Sequence, residues 1–380
     1  MKILYVTTIS NTVNLFLIPH IKFLIEEGHK VDVAFDVDKI HPELLNLGCE
    51  IYQVNFQRNP ISKGNIAAIN RIRDIISSGG YEIVHVHTPI ASFLTRFACK
   101  KMKDIKVIYT AHGFHFFKGA PRKNWLIYYL LERIAAIWTD ALITINEEDF
   151  HNAQKLKVRI HDSIYKIHGI GLNLNKFLPQ EEETKISKRK EYGFLPEDFI
   201  LINVGELCIG KQQNVLIEAV SILVDDIPNI KLLIVGDGRL RNTYMKLVQR
   251  LGLVRNVEFL GYREDVNHLM TLSDVAVSVS KREGLPVNVM EAMATGLPLV
   301  VTDCRGNRDL IKNRVNGLVI DVEDSVGCAK AIKELYESKE LRLMLASKNL
   351  EMIKPYSQEN VIKELNHIYS RIFKNCKVNA

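Results

Sequence analysis

Short apolar runs alternate with longer segments of helical period along almost the whole chain. This alternation is typical of parallel strands that are buried on both faces and joined by helices. In the first half it predicts strands at Lys2–Thr7, Lys30–Phe35, Glu50–Val54, Ile83–His87, Lys106–Thr110, Ala141–Ile145 and Ile164–Ile167. In the second half it predicts strands at Phe199–Val204, Lys231–Val235, Val257–Leu260, Asp274–Val279, Leu299–Val301 and Gly317–Ile320.

The alternation is interrupted near the middle of the chain. Around Gly169–Leu178 the pattern breaks, and Gln180–Lys190 is strongly charged and polar, which predicts an interdomain linker. We therefore expect two tandem, doubly wound, Rossmann-like α/β domains at residues 1–172 and 173–356, with a C-terminal helix at 357–380 packed back on the first domain. Ligands of such sheets bind beyond the carboxyl ends of the strands, so we predict a site in the cleft where the domains face each other.

The candidate chemistry is densest after the strand that ends at Val279. The segment Arg282–Ala294 reads REGLPVNVMEAMA. Gly-Leu-Pro predicts a helix start with proline at the first position, and the free N–H groups and dipole of that helix favour phosphate binding. Glu283 precedes this point and Glu291 lies eight positions later, a helical rise of ~12 Å. One carboxylate therefore suits a sugar and the other suits a ribose.

Length and composition narrow the class of protein. A chain of 380 residues with 47% hydrophobic and 25% charged residues is expected to form two globular domains. No apolar run reaches the ~18 residues of a membrane span. The N-terminus reads as a strand rather than a signal peptide, and the six scattered cysteines form no Cys-x-x-Cys pair. We therefore expect a cytoplasmic protein without disulfides or structural zinc.

The first half of the chain is the more basic half. Residues 1–175 hold 21 Lys and Arg against 16 Asp and Glu, whereas the remainder holds 29 against 28. This surplus predicts an anionic surface or substrate near the first domain. Nucleic acid is not expected as a partner, because the sequence shows no dense basic helix and no aromatic-rich RNA motif.

The segment Arg282–Ala294 resembles the Glu-x7-Glu signature of the retaining GT-B glycosyltransferases of family four, and the resemblance covers nearly the whole chain. Val204–Gln212 is similar to the family's Gly-Arg-Leu…Lys loop, whose bases hold the donor diphosphate. Lys211 matches the lysine, but Glu206 stands at the arginine position, where an anion cannot neutralise phosphate. Two other bases are candidates to replace that arginine: Arg282 and Arg308.

Two more loops of the second domain resemble the family's nucleotide site. Val235–Arg241 is similar to its Gly-Asp-Gly turn, where glycines serve a tight turn or a close backbone approach. Gly261–Asp265 ends the following strand, where related enzymes hold the base, and Arg263 either stacks on that base or is a surface arginine. The donor-binding residues that the resemblance implies are Gly205, Arg263, Gly284, Leu285, Asn288 and Glu291.

The first domain carries histidines at the ends of two predicted strands. His112, in Tyr109–His115, stands where the family has a histidine near the donor sugar, and His115 is a second candidate. His85 and His87 alternate along one strand and are expected to face opposite sides of the sheet, so that they do not bind one metal together. We expect His85 to be packed and His87 to line the cleft.

The first strand-to-helix loop, Thr8–Asn14, lacks the Gly-Gly of the wider family. Together with Thr110–Gly119, Asn146–Asp149 and Arg305–Asp309, it is similar to enzymes of bacterial capsular and exopolysaccharide assembly. The candidates for the acceptor side or the cleft are Asn14, His87, His115, Arg282 and Arg308.

The resemblance implies a retaining transferase that uses a UDP-sugar, expected to carry an N-acetylated amino sugar, and a saccharide on a polyprenyl diphosphate. Lys211 and the helix start at Gly284 would stabilise the leaving diphosphate. Glu283 would grip the sugar and Glu291 the ribose, while His112 would orient the sugar. Neither a cofactor nor a metal is required, and the Asp-x-Asp triplet at 36–38 is interpreted as a solvated loop.

Two other classes remain open. A UDP-sugar 2-epimerase shares the GT-B architecture but needs groups that abstract a proton at C2. A non-catalytic assembly subunit would keep the fold and lose the chemistry. Glu206 favours the subunit, whereas intact Glu283, Lys211 and His112 argue against it. Oligomeric state is not determined by the sequence.

The segment Lys118–Leu131 joins bases with tryptophan, tyrosines and leucines. This composition fits a helix at a membrane interface and equally a helix with an ordinary buried face. If the acceptor is lipid-linked, the protein is expected at the inner face of the cell membrane, with anionic lipid in contact with Arg96, Lys100, Lys101 and Lys103.

Overall fold

The apolar runs of the first half form one sheet. A computed structural model of the protein describes residues 1–57, 59 and 62–377, except for the side chains of 375–377. Its first unit comprises residues 1–171 and the segment from Gln358 onward. The strands of this unit are β1 (Lys2–Ile9), β2 (Lys30–Asp36), β3 (Ile51–Gln53), β4 (Ile83–His87), β5 (Lys106–Ala111), β6 (Ala141–Thr144) and β7 (Ile164–Lys166).

These seven strands pair in the order β3-β2-β1-β4-β5-β6-β7, and each pairing is parallel. Parallel neighbours need crossover connections, which helices supply here. Two π-helical turns, Val13–Leu17 and Trp125–Tyr129, interrupt the helical segments. The helices are α1 (Ser10–Thr12), α2 (Ile18–Glu26), α3 (Pro42–Asn46), α4 (Gly64–Gly79), α5 (Pro89–Cys99), α6 (Arg122–Asn124), α7 (Leu130–Ala136) and α8 (Glu147–Ala153).

The second unit, Leu172–Ser357, has a six-stranded sheet of the same kind. Its strands are β8 (Phe199–Val204), β9 (Ile230–Val235), β10 (Val257–Gly261), β11 (Val275–Ser278), β12 (Leu299–Thr302) and β13 (Leu318–Ile320). They pair in parallel in the order β10-β9-β8-β11-β12-β13. The helices are α9 (Glu182–Tyr192), α10 (Gln213–Leu223), α11 (Arg241–Arg250), α12 (Val266–Leu272), α13 (Val287–Thr295), α14 (Asn307–Leu310), α15 (Ser325–Glu337) and α16 (Lys339–Met352).

Burial on both sheet faces explains why apolar runs marked the strands. Every residue of β4 and of β6 is buried. Each unit has its own hydrophobic core, one around Leu4, Val84 and Val107 and the other around Leu201, Leu232 and Val300. Every strand predicted from the sequence is present, with its ends within two residues of the expected positions. The prediction of two parallel-sheet α/β domains is therefore confirmed.

The predicted linker at Gln180–Lys190 is wrong. Most of this segment forms α9, which belongs to the second unit. Two of its bases are held by Asp274, whose carboxylate contacts Lys185 Nζ at 2.7 Å and Arg189 Nη2 at 2.6 Å. Arg189 is buried and also donates to the Leu272 carbonyl. The charges that suggested a linker therefore lie on a docked helix.

The C-terminal helix α17 (Gln358–Lys377) belongs to the first unit. It buries Val361, Leu365 and Ile372, and its Tyr369 hydroxyl lies 2.9 Å from the Tyr5 hydroxyl of β1. Among the described residues, no helix has the length and apolar content needed to cross a bilayer.

In both sheets the strand order reverses beside the first strand. The reversal lies between β1 and β4 in the first unit, and between β8 and β11 in the second. Open α/β sheets bind ligands beyond the carboxyl ends of the strands at such points. The loops that follow these four strands are therefore the expected positions of a ligand site.

Candidate active site

At the reversal point of the second sheet, a lysine and a glutamate meet. Lys211, in the loop after β8, places Nζ 2.6 Å from Oε1 of Glu283, in the loop after β11. A Cβ added to Gly205 would contact the Lys211 stem at 3.5 Å, so the lysine stem lies across this glycine. The side chains are 25% and 11% exposed, and the pair is thus only partly open to water.

The helix that follows Glu283 begins one residue later than predicted. Pro286 is the N-cap of α13, with φ −75° and ψ 116°, and Val287 is the first helical residue. The ψ of Pro286 is extended, so proline ends the loop rather than opening the helix. No side chain caps this end, which leaves its first N–H groups available for an anion. Asn288 Nδ2 donates to the Val204 carbonyl at 2.8 Å and ties the helix to the end of β8.

The remainder of the segment packs as its sequence predicts. Leu285 is buried, so it supports the loop. The methionine and alanine face of α13 is buried as predicted, through Met290, Ala292, Met293 and Ala294.

The sequence motifs did not single out Arg305 as a site residue. This buried arginine donates from Nε to the Glu283 carbonyl at 2.8 Å. The next residue, Gly306, has φ +82°, and a Cβ there would lie 2.6 Å from the Gly284 carbonyl oxygen. The loop after β12 thus holds the backbone of Glu283 and Gly284. The segment 305–309, which resembles the capsular subgroup, pointed to this loop, but the residue predicted there was Arg308.

The two arginines chosen from the sequence lie at the surface. Arg308 pairs through Nε with Asp303 Oδ1 at 2.6 Å, and its side chain is 39% exposed. Arg282 is exposed beside Glu283. Glu206, at the family's arginine position, is also exposed.

Glu291 lies in the second turn of α13 and is partly buried. Desolvation raises the pKa of Glu291 to about 7, while the positive charge of Lys176 acts in the opposite direction. This carboxyl therefore changes its charge close to neutral pH.

The Gly-Asp-Gly turn provides the close approach that its glycines predict. Gly236 has φ +129°, and a Cβ there would lie 2.1 Å from the Gly205 carbonyl oxygen. Any larger residue would displace the loop that carries Lys211. Arg263, after β10, forms two hydrogen bonds to Asp265 at 2.8 and 2.6 Å. These bonds lower the pKa of Asp265. The stacking of Arg263 on a nucleotide base stays a prediction.

In the first unit, two histidines pair at the carboxyl ends of neighbouring strands. His87 ends β4, and its Nδ1 lies 3.1 Å from Nε2 of His112, which follows β5. The two rings are stacked at 5.3 Å. Tyr5 stacks on His87 at 5.2 Å. His87 is buried, whereas His112 is partly exposed.

The prediction that His85 and His87 face opposite sides is wrong. Their ring centroids lie 4.2 Å apart, because residues two apart on a strand share a face. His85 is packed as expected, with Nδ1 2.6 Å from the Tyr369 hydroxyl and Nε2 2.8 Å from Thr110 Oγ1. Among the described residues, no three His, Cys, Asp or Glu side chains are grouped as metal ligands.

Burial keeps this histidine pair neutral. It lowers the pKa of His112 to about 4 and the pKa of His87 well below the ordinary value. The charges of neighbouring histidines lower both pKa values further. One imidazole therefore donates and the other accepts across the 3.1 Å contact. Because Nε2 of His112 is engaged, Nδ1 is the ring atom left to meet a ligand.

The other N-terminal candidates have structural contacts. His115 packs its ring 4.7 Å from that of Tyr128, and its carbonyl accepts from Asn124 Nδ2 at 3.2 Å. Asn14 Nδ2 donates to the Lys39 carbonyl at 2.7 Å and holds the loop after β2.

The predicted contact of Arg96 with lipid is wrong. Arg96 is 1% exposed, pairs with Glu132 at 2.8 Å and lies 4.1 Å from the centre of the Tyr109 ring. Its position on α5 turns it into the core, where burial demands a counter-ion. Lys100, Lys101 and Lys103 are exposed.

Two family models match the chain. Residues 2–146 match the model described as glycosyl transferase 4-like, and residues 184–352 match the model described as glycosyl transferases group 1. Together they cover most of both units.

Relatives with a similar sequence span most of the chain. EpsD of Bacillus subtilis (strain 168), assigned by its name to the glycosyltransferases, is 38% identical over 97% of this chain and 96% of its own. The UDP-Gal:alpha-D-GlcNAc-diphosphoundecaprenol alpha-1,3-galactosyltransferase of Escherichia coli is 30% identical over 80% of each chain. The solved structure of Anabaena HepE in complex with UDP has a TM-score of 0.81 at 19% identity, over 98% of this chain and 100% of its own. The predicted GT-B fold is thereby confirmed.

Proposed function

We infer that this chain, which belongs to the group 1 and 4-like glycosyltransferases, transfers a sugar from a UDP-sugar to a saccharide on a polyprenyl diphosphate. The transfer would retain the anomeric configuration and serve the assembly of an exopolysaccharide or capsule. The observation that carries this proposal is the Lys211–Glu283 pair at the sheet reversal, beside the uncapped start of α13. It joins one group suited to phosphate and one suited to sugar hydroxyls.

Two relatives support the choice of substrates. By its name, the Escherichia coli relative uses UDP-galactose as donor and a sugar on diphosphoundecaprenol as acceptor. HepE was solved with UDP. The donor sugar of this chain is proposed to be an N-acetylated amino sugar, on the similarity of its loops to the capsular subgroup.

The donor would bind to the second unit. In the free protein Lys211 is neutralised by Glu283, so a bound diphosphate competes with Glu283 for the ammonium. When the phosphate takes Lys211, Glu283 is released to accept hydrogen bonds from the sugar. Arg305 keeps the Glu283 backbone in place during this exchange.

The chemical step breaks the bond between the anomeric carbon and the β-phosphate oxygen, and forms one between that carbon and the acceptor oxygen. The bonding electron pair goes to the leaving phosphate, whose negative charge is met by Lys211 and the first N–H groups of α13. That phosphate takes the acceptor's proton on the same face. We propose no metal and no cofactor for this step.

The first unit would supply the acceptor side. His112 of this unit would orient the donor sugar, and since it is neutral near pH 7 it can hydrogen-bond a hydroxyl of that sugar through Nδ1 without adding charge. The basic surplus of residues 1–175 suits an anionic diphosphate and an anionic bilayer. We therefore propose that the protein works at the inner face of the cell membrane.

The test is UDP release from a panel of UDP-sugars, with and without a polyprenyl-diphosphate-linked saccharide. We expect release that depends on the acceptor and occurs with one donor. Conversion of a UDP-sugar without acceptor would identify an epimerase. If no pair reacts and calorimetry detects no binding of UDP, the chain is a non-catalytic subunit.

Donor binding should depend on pH through Glu291. Its carboxyl group accepts stronger hydrogen bonds from ribose when it is ionised, so affinity should rise as pH increases through about 7. With that pKa, the Kd is expected to be roughly tenfold higher at pH 6 than at pH 8. Calorimetry with the donor that supports release would measure it, because the diphosphate of a UDP-sugar keeps its charge over this range.

The matched variant for this effect is Glu291→Gln. It should bind weakly at both pH values, with a flat profile. If the variant keeps the wild-type dependence, another group is responsible and the ribose role of Glu291 is wrong.

A further inference from the structure

One helical segment of the first unit presents an apolar face to solvent. It runs without a break from Arg122 through the π-helical turn to Ala136. Side chains three or four positions apart share one side of a helix. Five large apolar residues on this side, here named the ridge, are exposed by 67, 52, 44, 47 and 54%: Leu126, Ile127, Leu130, Ile134 and Ile137.

Basic residues flank the ridge at both ends. Arg122 and Lys123 are exposed at its start, and Arg133 is exposed within it. At its far end Trp138 packs on Phe97 at 5.5 Å, and Lys100 Nζ lies 3.8 Å from the centre of the Phe97 ring. Lys101 and Lys103 are exposed in the next turns. The one acid of the segment, Glu132, is buried against Arg96.

The opposite face of the same segment supports the candidate site. Trp125 Nε1 donates to the Phe117 carbonyl at 3.2 Å, and Tyr128 packs on His115 at 4.7 Å. His115 lies three residues after His112. Whatever covers the ridge is therefore one helix diameter, about 10 Å, from the loop that carries the site.

We propose that the ridge docks the protein on an anionic phospholipid surface. A helix with an apolar face and basic residues on its flanks lies in the interfacial plane, with its apolar side chains among the acyl chains and its bases at the headgroups. Lysine and arginine stems reach outward from such a position. The bilayer would then present a lipid-linked acceptor to the first unit.

Charge argues against a second copy of the chain as the occupant. A two-fold interface places the same patch against itself. Both ends of the ridge are basic, so either orientation of two ridges brings like charges together. An anionic surface instead matches the flanking bases, which outnumber the one exposed acid beside them, Asp104.

This proposal rests on the proposed function only in the purpose of docking, which is to bring the protein to a lipid-linked acceptor. Vesicle binding itself needs no catalysis and is measured independently. The full chain would be sedimented with vesicles of phosphatidylcholine, and with vesicles of equal parts phosphatidylcholine and phosphatidylglycerol. Wild type should bind the anionic vesicles only.

The variant Ile127→Gln/Leu130→Gln/Ile134→Gln should bind them at least roughly tenfold more weakly. Lys123→Gln/Arg133→Gln should lower the affinity by about tenfold.

The control exchanges three exposed apolar helical residues elsewhere, as Leu45→Gln/Ile66→Gln/Leu343→Gln, which at 61, 63 and 61% are somewhat more exposed than the ridge residues changed. It should bind vesicles as wild type does, and thermal unfolding should show that all variants fold. Equal sedimentation of the ridge variant and the control would overturn the proposal. A wild-type dimer that the ridge variant converts to monomer would overturn it as well. Vesicle binding without transferase activity would count against the proposed function alone.

Discussion

Replacing Glu283 with glutamine is expected to reduce kcat for sugar transfer by about 10²-fold or more. Glutamine keeps the shape of the side chain and one acceptor oxygen, but it removes the charge that strengthens hydrogen bonds from the sugar. It also removes the partner that holds Lys211 at 2.6 Å in the free protein. Steady-state UDP release with the accepted donor and acceptor would measure the loss.

The matched control is Glu351→Gln. Glu351 is an exposed glutamate of the same unit that pairs with Lys348. Its replacement should leave turnover close to wild type. Both variants should unfold in one cooperative thermal transition. Wild-type turnover in Glu283→Gln would contradict the role of this residue and the assignment of the site.

Replacing Lys211 with methionine is expected to lower kcat by roughly 10²–10³-fold, about 3–4 kcal/mol of transition-state stabilisation. The position of Glu206 makes this lysine more important, because the family's diphosphate arginine is absent here. Methionine keeps an apolar stem that can lie across Gly205 as the lysine does. The loss should therefore come from the missing charge rather than from packing. UDP affinity, measured by calorimetry, should fall as well.

Lys333→Met provides the comparison, since Lys333 pairs with Asp226 on the surface of the same unit. It should change neither kcat nor UDP affinity. A Lys211→Met enzyme with normal kcat and weaker UDP binding alone would mean that Lys211 holds the donor but does not stabilise the leaving group.

Combining the two site changes tests whether the pair acts as a unit. Residues that contact each other are not expected to contribute additively. The double variant Glu283→Gln/Lys211→Met should be little slower than the slower single variant. Fully additive losses would indicate that the residues act independently, despite their contact.

Local pattern was sufficient for the strands. A strand buried on both faces must be apolar along its length, so its position can be predicted without knowing its neighbours. The helix after Pro286 was likewise predicted from residues close together in the chain. The roles of Glu283 and Lys211 were inferred from the family resemblance and stay predictions. The linker predicted at Gln180–Lys190 was wrong because local pattern does not show that Lys185 and Arg189 pair with a distant residue, Asp274.

Contacts between loops that are far apart in the chain could not be predicted from the sequence. Arg305 lies 22 residues after Glu283, and only the parallel placement of β11 and β12 brings its Nε to the Glu283 carbonyl. The contact of His87 with His112 depends in the same way on the neighbouring strands β4 and β5. The pKa of Glu291 rises because of burial, which no local pattern reports.

The sequence by itself determined two α/β units with parallel sheets and the family resemblance, and it predicted a lysine and two glutamates as ligands of a sugar nucleotide. Only the tertiary structure decided which charges are paired, which histidines meet and which side of residues 122–137 faces solvent. The physical reason is the range of the interactions. Strand burial and helix starts are set by neighbours along the chain, whereas ion pairs, desolvation and surface exposure are set by residues that meet only when the sheets have formed.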